Sequence, residues 1–370
     1  MHTKASISEM RRDTRSDYIH WAKTRASARF NLASSGIESL PLADLPVRWE
    51  DIELSPPGGY GYAPLQERLA KNCGVPEEWV VAATGTSMAN HLAMAGLLEA
   101  GDEVLIEQPA YDPLLAAAKY FGAAVRRFPR SFEKQFRVEP REVERAITPK
   151  TRLIVLTNLH NPSGARISDE TLREVGEMAR GCGAHVLVDE VYLDMLFVEP
   201  ARSAIHLGEH FVITSSLTKA YGLSGLRCGW ILAAPPLAER MWRLKDIFEN
   251  IPAHIAERLS VIALDRLAEP QARAKALLDK NRPLLDRFLD SRRDLEAVRP
   301  PAGTIVFPRL RRGSADDFCR LLREKYDTSV VPGRFFEMPG HFRIGIGGDT
   351  ATLAAGLERI GAALDEFHSK

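Results

Sequence analysis

From about residue 80 the chain repeats one rhythm: a short apolar, often β-branched run, a few turn residues, then a stretch with helical spacing. Val80-Val81-Ala82-Ala83 leads into Thr84-Gly85-Thr86-Ser87 and a helix through 98, and Glu103-Val104-Leu105-Ile106 leads into Gln108-Pro109-Ala110-Tyr111. Leu153-Ile154-Val155-Leu156 precedes Asn161-Pro162-Ser163-Gly164, and His185-Val186-Leu187-Val188 precedes Asp189. Phe211-Val212-Ile213-Thr214 and Gly229-Trp230-Ile231-Leu232 complete the series. These runs lack polar alternation, so both faces of each strand should be covered, as in a mostly parallel sheet between helices. The expected class is α/β, with ligands beyond the carboxyl ends of the strands.

The two ends of the chain follow other patterns. Within the largely polar stretch 13–29, Tyr18, Trp21 and Ala22 share one helical face, and Phe30-Asn31-Leu32-Ala33-Ser34-Ser35-Gly36 then steps into a glycine turn. Residues 55–64 are too rich in Gly and Pro for regular structure, and a helix is expected from Leu65. Residues 253–296 read as long helices broken near Glu269-Pro270 and Arg282-Pro283. Short strands at 304–307 and 341–346 then alternate with helices at 314–325 and 350–368. The expected organisation is a helix and arm over 1–45, a large domain over 46–246 and a smaller α+β domain over 247–370, on which the arm packs.

Composition narrows the function classes. A chain of 370 residues exceeds the usual size of one core, which favours two domains. Its 49 basic and 49 acidic side chains cancel, so charge gives no reason to expect a nucleic-acid or membrane-surface partner. The four cysteines, Cys73, Cys182, Cys228 and Cys319, lack metal-ligand spacing and read as reduced thiols. The first residues lack the apolar core of a signal peptide or membrane span. A cytoplasmic location is expected.

The candidate chemistry clusters just past the strand ends: Gly85, Thr86, Ser87, Tyr111, Asn161, Asp189 and Ser216 to Lys219. Alone, Ser216-Leu217-Thr218-Lys219 is an ordinary helix start with a surface lysine. Asp189 alone could cap a turn, although a carboxylate straight after Val186-Leu187-Val188 should need a partner. Gly85 to Ser87 could simply cap a helix, yet the same N–H groups and helix dipole make an anion site. Tyr111 and Tyr192 could be core aromatics. Arg343, in the apolar His341-Phe342-Arg343-Ile344-Gly345, could pair with a structural acid. Together, an amine, a carboxylate, anion donors and a flat side chain match what pyridoxal phosphate requires: a Schiff-base lysine, a partner for its ring nitrogen, a phosphate cradle and a stacking group.

At this point the chain resembles the class I/II aminotransferases, the fold-type I pyridoxal phosphate enzymes. The motifs that carry the resemblance are Asn161-Pro162-Ser163-Gly164, Asp189 to Tyr192, Ser216 to Lys219, and Arg227 within Gly225-Leu226-Arg227-Cys228-Gly229. They agree in order and spacing across 80–235, with weaker similarity to the end of the chain. The resemblance implies that Lys219 anchors pyridoxal 5'-phosphate and moves the proton between Cα and C4′, and that Asp189 pairs with the ring nitrogen. It implies further that Asn161 and Tyr192 bond the ring's phenolic oxygen and that Tyr111 stacks on the ring. Gly85, Thr86, Ser87, Ser216 and Arg227 would hold the phosphate; Arg343, with Asn161 and Gly36, would hold the substrate carboxylate. Amino acids and 2-oxo acids are the implied substrates, and a homodimer with shared sites the implied assembly. Many relatives carry a tyrosine six residues before the step seen here as Tyr62-Ala63-Pro64-Leu65, where this chain has Pro56. That leaves Tyr60, or no residue, to reach the partner's phosphate, with Asn250 as another contribution across the interface. No Arg is clearly placed to read a second substrate carboxylate.

Three function classes follow. The first is transamination through two half-reactions. The second is another reaction on the same cofactor, such as β-elimination, decarboxylation or cyclisation, which the motifs do not separate because they hold the cofactor and not the leaving group. The third is a non-catalytic aminotransferase-like sensor; such regulators carry a winged-helix domain for which this chain has no room. A nicotinamide dehydrogenase is weaker still, since Gly59-Tyr60-Gly61 lacks the third glycine and helix.

Overall fold

The computed structural model describes residues 15–197 and 202–369. A helix over Asp17–Thr24 opens the described chain, shorter than the polar stretch expected to hold it, part of which (13 and 14) lies outside the described residues. The Ser16 hydroxyl caps it by accepting from the Ile19 N–H, and its buried face carries Tyr18 and Trp21. The arm follows as strand β1 (Phe30–Asn31).

Seven strands then build the central sheet: β2 (Val80–Thr84), β3 (Glu103–Gln108), β4 (Ala124–Pro129), β5 (Thr151–Thr157), β6 (His185–Asp189), β7 (Phe211–Ser216) and β8 (Cys228–Leu232). Their order is β2-β8-β7-β6-β5-β3-β4, with β8 antiparallel to both neighbours and the other pairs parallel. Alternate residues feed opposite cores, as strand geometry requires. Leu105, Ile154, Val186 and Ile213 join one cluster, and Val104, Leu153, Leu187 and Val212 the other. Strand β4 escapes the apolar-run criterion because it is an edge strand with Arg126 and Arg127 at its centre. Those arginines donate to the carbonyls of Ala146 and Ile106.

Register places the chemistry on one rim. Thr157 lies opposite Asp189, Asp189 opposite Thr214, Ser216 opposite Gly229, and Thr84 opposite Cys228. Because β8 runs backwards, its first residues share that rim with the carboxyl ends of the parallel strands. Arg227 is thereby delivered beside Gly85.

The C-terminal elements form a second group. Strands β9 (Leu295–Glu296), β10 (Ile305–Val306), β11 (Arg309–Leu310), β12 (Thr328–Ser329), β13 (Val331–Pro332) and β14 (Phe342–Gly345) alternate with helices over Ala315–Tyr326 and Thr350–His368. The arm joins this group, since β1 pairs in parallel with β12. One expectation fails: the helix Ala268–Ser291 passes Pro283 without a break. Its buried face of Ala274, Leu278, Leu285 and Leu289 outweighs the lost backbone bond. The Arg282 guanidinium also ties it to the carbonyls of Pro300 and Gly303. The other expected break, near Glu269-Pro270, is present just before that pair, between Leu264 and Ala268. Among the described residues, no helix is long and apolar enough to cross a membrane.

Candidate active site

A cleft lined mostly by polar side chains opens at the rim. Its lining includes Thr86, Ser87, Tyr111, Asn161, Asp189, Tyr192, Ser216, Lys219 and Arg227, all singled out from sequence. Ser35, Asn90, Thr157, Val191 and Thr218 line it as well and were not.

Lys219 follows β7 in the turn that leaves the sheet. Its side chain is partly accessible through the cleft, but protein closely surrounds its amine, and that burial pushes the amine down to about 8. The positive charge of Arg343 acts in the same direction, Asp189 opposes it, and Arg227 adds a smaller push. The amine donates to Ser35 Oγ at 3.2 Å, and the Tyr192 hydroxyl donates to the same oxygen at 2.8 Å.

Asp189 ends β6 and is buried. Burial raises its carboxyl to about 6, against the hydrogen bonds it accepts and the nearby Lys219. Asn90 Nδ2 donates to Oδ2 at 2.9 Å and the Val191 N–H to Oδ1 at 3.1 Å. Asn90 is itself oriented by Thr214, whose hydroxyl donates to Asn90 Oδ1 at 2.6 Å. The available signal was an Asn set among Ala89, Leu92 and Ala93 on an otherwise apolar helix face.

The anion-binding corner starts from Gly85. The helix Gly85–Leu97 begins at this residue, not after Ser87 as expected, and Gly85 turns the chain into it at φ +78°, a conformation that favours glycine. A Cβ at Gly85 would collide with the Arg227 guanidinium, so glycine lets the cation lie against the helix start. Arg227 donates to the carbonyls of Thr84 (3.4 Å) and Ser224 (3.2 Å). Thr86 Oγ1 donates to Ser216 Oγ at 2.8 Å. Two hydroxyls, an Arg and a helix N-terminus therefore converge on one corner.

Arg343 lies behind the cleft, fully buried on β14. Nη1 donates to Asn161 Oδ1 at 2.8 Å, and Nη2 to the Tyr18 hydroxyl at 2.9 Å and the Ala33 carbonyl at 3.0 Å. Nε is buried and has no hydrogen-bond partner among the described residues. Asn161 thus connects Arg343 to the cleft. Gly36 touches Lys219 from the arm: a Cβ there would sit 3.4 Å from Lys219 Cδ, and the Ile37 N–H donates to the Lys219 carbonyl at 2.9 Å.

The floor beneath Asn161 is a buried ionic network. The Glu107 carboxylate accepts from Arg130 Nη1 at 2.6 Å and from the Thr157 N–H at 2.8 Å, while Thr157 Oγ1 accepts from the Asn161 N–H at 3.2 Å. Tyr60 and Asn250, by contrast, do not line the cleft of their own chain. Tyr60 is exposed and donates to Asp246 at 3.1 Å, and Asn250 sits at φ +49° with its N–H on the Lys245 carbonyl. Among the described residues no group of His, Cys, Asp and Glu could hold a metal ion.

Known proteins resemble this chain in sequence and in fold. Residues 55–360 match the model of the family described as aminotransferase class I and II. The chain is 30% identical over 294 residues to capreomycidine synthase of Streptomyces vinaceus, covering 78% of this chain and 75% of that protein. It is 29% identical over 314 residues to arginine–pyruvate transaminase AruH of Pseudomonas aeruginosa, covering 82% and 79%. A PLP-dependent aminotransferase from Streptococcus suis superposes with a TM-score of 0.90 at 26% identity, over 95% of this chain and 98% of that one. With the family match spanning most of its length, the chain belongs to the class I and II aminotransferases, a family of PLP-dependent transferases.

Proposed function

We propose that the chain exchanges an amino group between an amino acid and a 2-oxo acid, with pyridoxal 5'-phosphate as cofactor. The observation that carries this reading is the Lys219 amine, lowered to about 8 within a cleft that also holds a buried carboxylate and an anion-binding corner. When bound, the cofactor supplies an electron sink for negative charge at the substrate Cα. The donor set fits it. The N–H groups of Gly85, Thr86 and Ser87, with Ser216 and Arg227, would hold the phosphate. Asp189, steadied by Asn90, would keep a proton on the ring nitrogen, and Tyr111 would lie against the ring. Asn161 and Tyr192 would bond the ring's phenolic oxygen. Arg343, with Asn161 and Gly36, would receive the substrate carboxylate, for which a planar fork is suited. The Lys219 amine would be the base that moves the proton between the substrate Cα and C4′ of the cofactor. An amine near neutrality suits that role, being free often enough to accept and acidic enough to give back.

The proposed organisation is an arm (1–45), a large domain (46–246) and a small domain (247–370), with two copies forming a homodimer that shares its sites. The large exposed side chains of Trp49, Leu54, Ile247 and Ile251 support such an interface. Asp51, between Trp49 and Leu54, accepts at its carbonyl from Arg258 Nε at 2.9 Å, in the helix that follows Ile247 and Ile251. An active monomer by size exclusion with light scattering would contradict the dimer.

The decisive experiment is borohydride reduction of the protein incubated with pyridoxal phosphate. The parent should become labelled at Lys219 and Lys219→Ala should not; a label retained in the variant overturns the reading. A second reading, cyclisation or elimination on the same cofactor, is favoured by the similarity to a protein named as a synthase that shares 30% identity. Product formed from the amino acid alone, with no dependence on an added 2-oxo acid, would decide for it.

A further inference from the structure

Ser35 Oγ touches both Lys219 and Tyr192. Its Oγ accepts from Lys219 Nζ at 3.2 Å and from the Tyr192 hydroxyl at 2.8 Å, using both lone pairs of the hydroxyl. The residue is 5% exposed and lines the cleft.

The arm holds this hydroxyl from both sides. Toward the C-terminal group, the Leu32 N–H donates to the Ser329 carbonyl (2.8 Å), the Gly345 N–H to the Leu32 carbonyl (2.7 Å), and Thr304 Oγ1 to the Ser35 carbonyl itself (2.7 Å). Toward the central sheet, the Ile37 N–H donates to the Lys219 carbonyl (2.9 Å) and the Leu40 N–H to the Gly222 carbonyl (3.0 Å). A backbone fixed this densely fixes where its side chains point. The charged and titratable groups around the amine are Arg343, Asp189, Arg227 and Tyr192. Two of these are cations that work against the ammonium form and Asp189 favours it; a hydrogen bond accepted from the amine acts in the same sense as Asp189, and Ser35 Oγ accepts one.

We propose that Ser35 is a positioning residue for Lys219: its hydroxyl joins the amine and the Tyr192 phenol in one hydrogen-bonded chain, setting where the amine stands and how readily it holds a proton. This inference rests on the proposed role of Lys219. It adds a residue of the arm, 184 positions away in sequence, to the machinery that prepares the amine.

The test uses cofactor-free protein and follows capture of pyridoxal phosphate by Lys219 as a function of pH, by absorbance and by borohydride trapping. The parent midpoint should lie near the amine's value of about 8. Ser35→Ala removes the acceptor that favours the ammonium form, so its midpoint should fall by about 0.5–1 pH unit, a roughly three- to tenfold rise in free amine at a given pH. Ser35→Thr keeps the hydroxyl and should restore the parental midpoint. Because Thr304 bonds the backbone carbonyl of residue 35, the Ala variant retains that tie. Should it nonetheless fold poorly, Ser35→Cys, similar in size but a weak acceptor, should show the same fall. An unchanged midpoint in the Ala and Cys variants, or an equal fall in the Thr variant, overturns the inference. A parent that never fixes the cofactor on Lys219 refutes the proposed function instead, so the two failures are distinguishable.

Discussion

Replacing Arg343 by Lys tests the substrate-binding side of the site most directly, because it keeps the positive charge and removes the planar fork. In the structure the fork serves three acceptors: Asn161 Oδ1 at 2.8 Å from Nη1, and the Tyr18 hydroxyl and Ala33 carbonyl at 2.9 and 3.0 Å from Nη2. A carboxylate arriving beside Asn161 would compete for Nη1 while Nη2 stays anchored. An ammonium at this position cannot span both directions, so at least one charge-assisted hydrogen bond to the carboxylate is lost. Such a bond contributes about 1.5–3 kcal/mol, which corresponds to roughly a 10- to 150-fold fall in kcat/KM. The Coulombic push on Lys219 from position 343 persists, so capture of the cofactor should change little. The assay is the single-turnover spectral change on mixing cofactor-loaded enzyme with an amino acid, repeated with the same amine lacking its carboxylate. The loss should appear with the amino acid and not with the control. A loss within threefold, or an equal loss for both amines, would refute the placement of Arg343 as the carboxylate partner.

Other expectations follow from the same geometry. With its amine lowered from 10.5 to about 8, Lys219 is free in roughly one molecule in ten at pH 7, where an ordinary lysine would be free in about one in 3,000. Free amine grows as pH rises, so the rate of cofactor capture should climb through pH 8 and level off above it; a rate still climbing past pH 10 would mean an unperturbed amine. Gly85→Ala places a Cβ against the Arg227 guanidinium at φ +78°, a backbone cost of about 1–2 kcal/mol before any displacement of the cation. Cofactor affinity measured by equilibrium dialysis should fall at least about tenfold; unchanged affinity would remove this corner from the phosphate site. Glu107→Ala leaves the fully buried Arg130 without its carboxylate, which should cost about 3–5 kcal/mol in urea unfolding. A loss under about 1 kcal/mol would show that Arg130 finds another partner.

Much of the site is legible in the amino-acid order. Apolar runs of strand length, each closed by turn residues, locate most of the central sheet, and register then brings Asp189, Ser216 and Lys219 to one rim. What escapes has identifiable causes. Strand β4 carries two arginines because it lies at the sheet edge. Pro283 reads as a break until the buried face of its helix is seen to hold it together. Tyr60 stands near a family contact in sequence, yet within its own chain it bonds Asp246 on the surface.

Periodicity and turn chemistry act over a few residues, so the amino-acid order alone was enough for the strand series, the arm and the spacing of Asp189, Lys219 and Arg227. Pairings across long separations have no local signature, and only the folded chain decided them. Asn90 reaches Asp189, Glu107 meets Arg130 beneath Thr157, and Ser35 meets Lys219 because strand order and the arm's backbone ties bring distant side chains within bonding distance. In the same way the amine of Lys219 is moved toward neutrality by burial and by Arg343, neither of which is written beside it in the chain.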